Sequence, residues 1–467
     1  MFEFFMNHHK YNHIHFIGIG GISMSGLAEI LLIEGYKVSG TDTKDSEIIN
    51  RLKKLGAEIY IGHNKRNVNG SDLIIYTDAI SRDNEELVAA INSSVELVDR
   101  ATFLGALMKN YTNSIAVSGT HGKTTTTSMI ATIANHGNLN PTILIGGELD
   151  DIGGNVRLGS NEYILTEACE YKANILKYFP TMAIILNIDE DHLDYFKSMD
   201  HIIDTFIGYG KNLEETGYLI INNDDPNSYK VIESTEAQVI TFGINKECDY
   251  RAENISFTEE GFASYTLNIR NKEFHNIKLN VMGVHNIYNS LASIASTHTL
   301  GLPMNVISEF ITFYKGVHRR LELLGHLNDI RVIDDYAHHP TEIKASLKAL
   351  RKSTKGRIFC IFQPHTFTRT KILLNSFAEA FKDADKVIIA DIYAARELDN
   401  GEIHSKDLAN RIGEMGSDAM YLGSFEEIEN YIMNEAKGKD IILTMGAGNI
   451  YQIGESILEH HKEKEAV

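Results

Sequence analysis

Val117-Ser118-Gly119-Thr120-His121-Gly122-Lys123-Thr124-Thr125-Thr126-Thr127 is the stretch that decides the fold. An apolar run (Ile115-Ala116-Val117) leads into it, and a helix-compatible run (Met129-Ile130-Ala131-Thr132-Ile133-Ala134) follows. The order strand, glycine loop, helix is that of a phosphate-binding loop, here shortened to Gly-x-x-Gly-Lys-Thr. Glycines let backbone N–H groups approach phosphate oxygens, and the helix N-terminus adds partial positive charge. Lys123 is placed to reach the β/γ-phosphates and the Thr124 hydroxyl to ligate Mg²⁺. A tight turn with an ordinary surface lysine is the bland alternative. The coincidence of Gly, Lys and Thr at one strand-to-helix junction argues against it.

Working outward, two more starts of the same kind are found. Ile14-His15-Phe16-Ile17-Gly18-Ile19-Gly20-Gly21 precedes a helix expected over 25–34 and a strand Lys37–Asp42. Arg357–Phe362 opens a tail that also carries Lys386–Asp391 and Ile441–Gly448. Short apolar runs alternating with helical patterns indicate parallel α/β sheets. Between Asp249 and Asn280 the pattern alternates residue by residue about Glu259-Glu260-Gly261, which predicts antiparallel strands added to the middle of the chain. Boundaries fall near 111 and 315, dividing the chain into 1–111, 112–314 and 315–467.

The chain has 467 residues, enough for about three domains. Its formal net charge of −19 excludes a nucleic-acid partner, which requires a basic face. No apolar run reaches membrane-spanning length, so no membrane insertion is expected. The first ten residues lack a signal-peptide layout. Three widely spaced cysteines form neither a disulfide framework nor a zinc knuckle, which fits a reducing cytoplasm.

Gly18, Gly20, Gly21 and Ser23 form a glycine loop whose third fingerprint glycine is replaced by Ser23. Asp42 ends the following strand, where an acid binds a ribose hydroxyl. NAD or FAD, another diphosphate such as a UDP-sugar, and a structural turn all remain open for this loop. In the middle segment, Ile164–Glu170 ends a strand in two acids, and Ala183–Asp194 ends the next in a polar cluster. Ligands collect at the carboxyl ends of parallel strands, so Glu167 and His192 are expected to join Thr124 around Mg²⁺. Asp189 and Asp191 are read as candidate helix N-caps. Asn286 and Asn289 lie three apart on one helical face and either cap that helix or read a nucleotide.

The third segment places Gly316-Val317-His318-Arg319-Arg320-Leu321-Glu322 before the strand Ile330–Ile333. Directly after that strand stands Asp334-Asp335-Tyr336-Ala337-His338-His339-Pro340-Thr341-Glu342. Arg320 is suited to a transferring phosphoryl group, and Asp334 to a ribose or to positioning that arginine. His365 and Arg369 follow the next strand, and Arg369 is suited to a small carboxylate.

Taken together, Gly119–Thr125, Asn187-Ile188-x-x-Asp191-His192, His285-Asn286-x-x-Asn289 and Gly316-Val317-x-Arg319-Arg320-x-Glu322 resemble the Mur ligase family over essentially the whole chain. The resemblance implies three α/β domains. They are a Rossmann-like domain for the UDP part of the substrate, a central phosphate-loop ATPase with a parallel sheet and added antiparallel strands, and a Rossmann-like C-terminal domain that brings the amino acid. It implies ATP- and Mg²⁺-dependent amide formation, with one or two metal ions, in peptidoglycan precursor synthesis. The substrates it implies are UDP-N-acetylmuramate, L-alanine and ATP. It assigns Gly119, Thr120, His121, Gly122, Lys123, Thr124, Thr125, Asn286, Asn289, Arg320 and Asp334 to ATP, and Thr124, Glu167 and His192 to the metal. It places His338, His339, His365 and Arg369 near the amino acid. A general base must take a proton from the amino-acid ammonium, and a histidine of the His338/His339 pair is suited to that role. A sister activity that attaches a whole stem tripeptide, and a nucleotide-binding regulator without activity, are the rival readings. Two departures from the family pattern stand out. Thr366 replaces an arginine that many members carry after Gln363-Pro364-His365. Ile207 occupies the position of a carboxylated lysine in sister ligases, so no modified lysine is expected.

Overall fold

The computed structural model describes residues 2–6, 10–193, 195–395 and 397–465. Contacts divide the chain into two compact units, residues 1–189, 199–250 and 292–310 in the first, and 190–198, 251–291 and 311–467 in the second.

The first unit begins with five parallel strands, β1 (His13–Ile17), β2 (Lys37–Asp42), β3 (Glu58–Ile61), β4 (Leu73–Tyr76) and β5 (Glu96–Asp99), in spatial order β3-β2-β1-β4-β5. The order reverses at β1, and the crevice at such a reversal is where an open sheet binds ligands. The Gly18–Gly21 loop sits there. Its helix runs Ile22–Ile33, three residues earlier than expected at its start, because the N-cap Gly21 offers no side-chain signal.

The unit continues through β6 (Asn113–Ser118), β7 (Pro141–Leu149), β8 (Gly154–Arg157), β9 (Ser160–Glu167), β10 (Met182–Ile185), β11 (Tyr218–Asn222) and β12 (Gln238–Gly243), in order β12-β11-β10-β6-β9-β7-β8. All are parallel to their neighbours except β8, the antiparallel edge. Strand β6 is again a reversal point, with β10 and β9 on its two sides, and it delivers the phosphate loop. Helix Lys123–His136 follows. Gly119 at φ 133° and Gly122 at φ 85° hold backbone conformations that a side chain would strain.

The second unit carries the expected antiparallel addition as three strands, β13 (Tyr250–Phe257), β14 (Phe262–Ile269) and β15 (Glu273–Met282), the last not singled out by its sequence pattern. Its larger sheet comprises β16 (Glu322–Leu327), β17 (Ile330–Asp335), β18 (Ile358–Phe362), β19 (Lys386–Ile389), β20 (Ala419–Tyr421) and β21 (Ile441–Met445), in order β16-β17-β21-β18-β19-β20. Strand β18 is buried on both faces. Ile358, Cys360 and Phe362 enter one core, and Phe359 and Ile361 the other. A period of two with both faces covered explains why such strands read as unbroken apolar runs. Strand β16 pairs antiparallel with β17 and lacks an apolar run, so its pattern gave no signal. Strand β17 runs two residues further than expected and takes Asp334 and Asp335 into the sheet.

Candidate active site

In the first unit the phosphate loop is held from below. The Asn187 side chain accepts from His121 N at 2.8 Å and donates to His121 O at 3.0 Å. The Thr120 hydroxyl accepts from Asp189 N at 2.9 Å, and His121 Nε2 lies 3.2 Å from Asp189 Oδ2. Lys123 Nζ donates to Gly119 O at 2.5 Å and Thr120 O at 3.0 Å, and pairs with Glu170 Oε2 at 3.0 Å. Burial alone would lower the Lys123 pKa, but the Glu170 carboxylate overturns this and holds the ammonium above its ordinary range. The loop therefore presents a fixed positive charge beside its backbone N–H groups. Glu170 was visible as one of two acids ending β9. Its role was not, because the chain must turn back on Lys123 to create the pair.

The Thr124 hydroxyl donates to Glu167 Oε2 at 3.1 Å, and Glu167 Oε1 accepts from Gly146 N. A hydroxyl and a carboxylate together form an all-oxygen donor set, which suits Mg²⁺. His192, expected beside them, belongs to the second unit, next to Asp191 on the 190–198 segment with φ 55°. Asp189 and Asp191 cap no α-helix, since the next helix begins at Met199. That correction follows from the extended loop between β10 and the helix. Asp194 of this cluster lies outside the described residues.

At the glycine loop, Gly20 N donates to Asp42 Oδ2 at 2.9 Å, so Asp42 braces the loop as well as ending β2. Gly18 and Ile19 donate to Thr41 O at 2.8 and 2.9 Å. Ser23 lies in the first turn of the following helix.

In the second unit the paired arginines separate. Arg319 turns inward: Nε donates to Asp334 Oδ2 at 3.1 Å, Nη2 to Gly446 O at 2.7 Å, and the guanidinium stacks 4.6 Å from the Tyr451 ring centroid. Arg320 faces the other way, its nearest carboxylate Glu342 at 3.9 Å, with the Tyr336 ring 5.1 Å off. Left-handed backbone at Arg319 (φ 63°) and Leu321 (φ 48°) makes this split. Asp334 is fully buried, and Thr444 Oγ1 donates to its Oδ1 at 2.6 Å. The arginine that Asp334 positions is therefore Arg319, not Arg320 as expected. From its buried strand it holds Arg319, while Arg320 stays half-buried beside Glu342.

Asn286 Nδ2 donates to Met282 O at 2.7 Å, and Asn289 Nδ2 donates to Asn286 Oδ1 at 2.9 Å. The two amides are linked on one face of helix Val284–Thr299, and Asn286 ties back to the end of β15.

His338, His339, His365, Arg369 and Asp191 gather in the same unit. Arg369 Nη2 donates to Asp191 Oδ1 at 3.0 Å, and its Nη1 lies 3.3 Å from His365 Nδ1. Burial would raise the Asp191 pKa, but His192 and Arg369 hold the carboxylate well below its usual range. Thr366, at φ 67°, caps the short helix that carries Arg369, its hydroxyl accepting from Arg369 N at 3.4 Å. His339 uses both ring nitrogens. Nδ1 accepts from Thr341 N at 3.3 Å, capping helix Pro340–Lys352, and Nε2 donates to Glu190 O at 3.0 Å. With no free lone pair, His339 is corrected from candidate base to a clamp on the 190–198 segment. His338 Nδ1 donates to Tyr336 O at 2.9 Å, which fixes Nε2 as the acceptor.

Burial pushes the His338 pKa down to about 4, against the pull of Glu342. The unfolded chain, with a value of about 6.5, therefore binds this proton more tightly. The stability contributed by neutral His338 is complete above about pH 6.5 and is lost as pH falls toward 4. Thermal melts of wild type and His338→Gln at pH 7 and pH 5 should show a smaller drop for the variant. Equal drops would contradict the assignment.

Family models match along the chain: the Mur ligase family catalytic domain at residues 13–112, the Mur ligase middle domain at 117–297, and the Mur ligase glutamate ligase domain at 319–448. The chain is 52% identical over 459 residues to a UDP-N-acetylmuramate–L-alanine ligase of Acetivibrio thermocellus, covering 98% of this chain and 97% of the relative. The crystal structure of a UDP-N-acetylmuramate–alanine ligase from Thermotoga maritima matches at 29% identity and a TM-score of 0.82, covering 97% of this chain and 99% of that one. A murein peptide ligase from Psychrobacter arcticus matches at 25% identity and a TM-score of 0.72, covering 96% and 98%.

Proposed function

The chain belongs to the Mur ligase family, and from that premise we propose that it joins L-alanine to UDP-N-acetylmuramate with consumption of ATP, in the synthesis of peptidoglycan precursors. The observation that carries this reading is the 52% identity, across nearly the full length, to a relative of that name. The murein peptide ligase of Psychrobacter arcticus is 25% identical. The proposed domain limits are 1–111 for the UDP substrate, 112–314 for ATP and 315–467 for the amino acid. No helix among the described residues is long and apolar enough to cross a membrane. Three free cysteines accord with a cytoplasmic setting.

A carboxylate is a poor electrophile and needs activation. One of its oxygens attacks the γ-phosphorus of ATP, ADP departs, and an acyl phosphate results. The alanine amine then attacks the acyl carbon, phosphate leaves, and the amide forms. The first step brings two anions together, so positioned positive charge is the main catalytic resource. Lys123 and the loop N–H groups from Gly119 to Thr125 supply it in the first unit; in the second unit Arg320, Asn286 and Asn289 are the residues the family resemblance assigns to ATP. Thr124 and Glu167 would hold Mg²⁺, and the ion would offset triphosphate charge; His192, on the second unit, is the further metal ligand the family resemblance assigns. Gly18, Gly20, Gly21, Ser23 and Asp42 take the UDP diphosphate and ribose. Arg369 and Asp191 are a cation and an anion 3.0 Å apart, matching the carboxylate and ammonium of an α-amino acid. His338, with Nε2 open, is the histidine of the pair suited to receive the ammonium proton, and His365 packs 5.7 Å from its ring.

Phosphate release from ATP and Mg²⁺ in the presence of UDP-N-acetylmuramate tests the reading, with L-alanine, glycine, L-serine or a stem tripeptide as acceptor. Release requiring both the sugar nucleotide and L-alanine is expected. Release with tripeptide alone would move the chain to peptide recycling, and nucleotide binding without release would make it a regulator.

A further inference from the structure

Arg100 is the first residue of helix Arg100–Met108, whose first turn contains no acidic residue. A cation there opposes the helix dipole. Its neighbour Asp99 does not compensate. That carboxylate accepts from Thr102 N and Oγ1 at 3.0 and 2.6 Å and from Lys177 Nζ at 2.8 Å. Asp78 is held by Asn174 Nδ2 at 3.0 Å and by Lys172 at 3.8 Å. Among the described residues no carboxylate lies within ion-pair distance of the half-buried Arg100 guanidinium, whose neighbour is the buried, neutral Tyr178 hydroxyl. A guanidinium cannot shed its proton to escape this cost.

Arg100 lines a cavity of about 90 Å³ in the first unit. Its walls are apolar at Leu27, Leu104 and Leu144, with Ser23 at one side and Glu167 at another. Ser23 belongs to the helix after the glycine loop, and Glu167 touches Thr124 on the phosphate-loop helix. The cavity thus adjoins both the proposed seat of the diphosphate and the place where phosphoryl transfer begins.

We propose that this cavity is the subsite for the reacting carboxylate of the sugar nucleotide, with Arg100 as its counter-ion. The inference rests on the ligase reading above. Glycine-loop N–H groups and a helix N-terminus already serve the diphosphate, which leaves the lactyl carboxylate as the substrate anion without a cation. A guanidinium fork matches a carboxylate in charge and shape, and apolar walls strengthen the pair. Partial neutralisation also eases the approach of the carboxylate to the triphosphate. Arg100 is a binding and positioning residue here, not a proton carrier.

UDP-N-acetylglucosamine shares every part of the substrate except the lactyl ether and its carboxylate. Calorimetric titration of the full chain with both sugar nucleotides, without ATP, is the test. Wild type should prefer the muramate by about 10- to 100-fold, as expected for one charged hydrogen-bonded contact. Arg100→Gln should bring that preference close to unity while keeping affinity for UDP-N-acetylglucosamine and for ADP. Arg100→Lys should fall between. A preference that survives in Arg100→Gln overturns the proposal, as does an equal loss for both sugars, which would place Arg100 on the diphosphate or in the packing. Retained ADP binding reports that the variant is folded. Alanine-dependent phosphate release by wild type, measured alongside, tests the ligase reading separately. Release without any muramate preference overturns the carboxylate subsite alone.

Discussion

Lys123→Ala is expected to lower kcat by about 10³-fold or more, while affinity for UDP-N-acetylmuramate is largely kept. The ammonium is the fixed cation of the phosphate loop, 3.0 Å from Glu170 and bonded to the loop carbonyls of Gly119 and Thr120. Removing it takes away charge where the γ-phosphate develops its negative charge, but leaves the glycine loop at Gly18–Gly21 untouched. There is also a stability effect. Glu170 is 1% exposed, and breaking a buried ion pair by deleting one partner costs about 3–5 kcal/mol. Lys123→Ala should therefore melt well below wild type. The double variant Lys123→Ala, Glu170→Gln should regain much of the lost melting temperature and none of the lost turnover, because the neutral amide no longer needs a cation. A single variant with near-normal turnover would refute the phosphate-loop assignment. A double variant that recovers turnover would show that the single-variant loss was only a folding defect.

The second large effect is expected at Arg369. Arg369→Ala should raise the KM for L-alanine by about 10²- to 10³-fold, the equivalent of losing a charged contact worth about 3–4 kcal/mol. The KM for ATP should change little. Arg369 meets Asp191 at 3.0 Å, and both side chains are largely buried. Without the guanidinium, the amino-acid carboxylate loses its fork, and Asp191 keeps only the histidines around it. Arg369→Lys keeps the charge but not the planar fork, so an intermediate KM is expected. Steady-state kinetics with alanine varied at saturating ATP and UDP-N-acetylmuramate distinguish these outcomes. An unchanged alanine KM in Arg369→Ala would move the amino-acid site elsewhere. Thr366 bears on the same point. Where many family members have a second arginine, this chain has a threonine that caps the helix bearing Arg369, so the loss falls on a single guanidinium.

Parts of the site were legible before any coordinates because they depend on local chain geometry. A glycine loop between an apolar strand and a helix yields a phosphate cradle wherever it occurs, and Gly119 and Gly122 adopt the positive φ that such a loop requires. The apolar runs of β18 and β21 announced strands covered on both faces. Other readings needed the chain to be folded. Whether Arg319 or Arg320 pairs with Asp334 is invisible in a pair of identical residues. Two left-handed residues decide it by sending Arg319 to Asp334 and Arg320 away. Asp334 looked like a ligand residue because it seemed to follow its strand. It is in fact the strand's buried end. His338 and His339 are equivalent in the sequence, and only their hydrogen bonds make one a clamp and the other an open acceptor.

The sequence by itself therefore determined the three α/β sheets, the two glycine loops and the class of chemistry, since period-two burial and glycine backbone freedom act over a few residues. Only the tertiary structure decided which charges meet. Asp191 and Arg369 are 178 residues apart in sequence, Lys123 and Glu170 are 47 apart, and among the described residues Arg100 has no carboxylate at ion-pair distance. Charge pairing acts through space at a few ångströms, and packing of the sheets, not spacing along the chain, sets those distances.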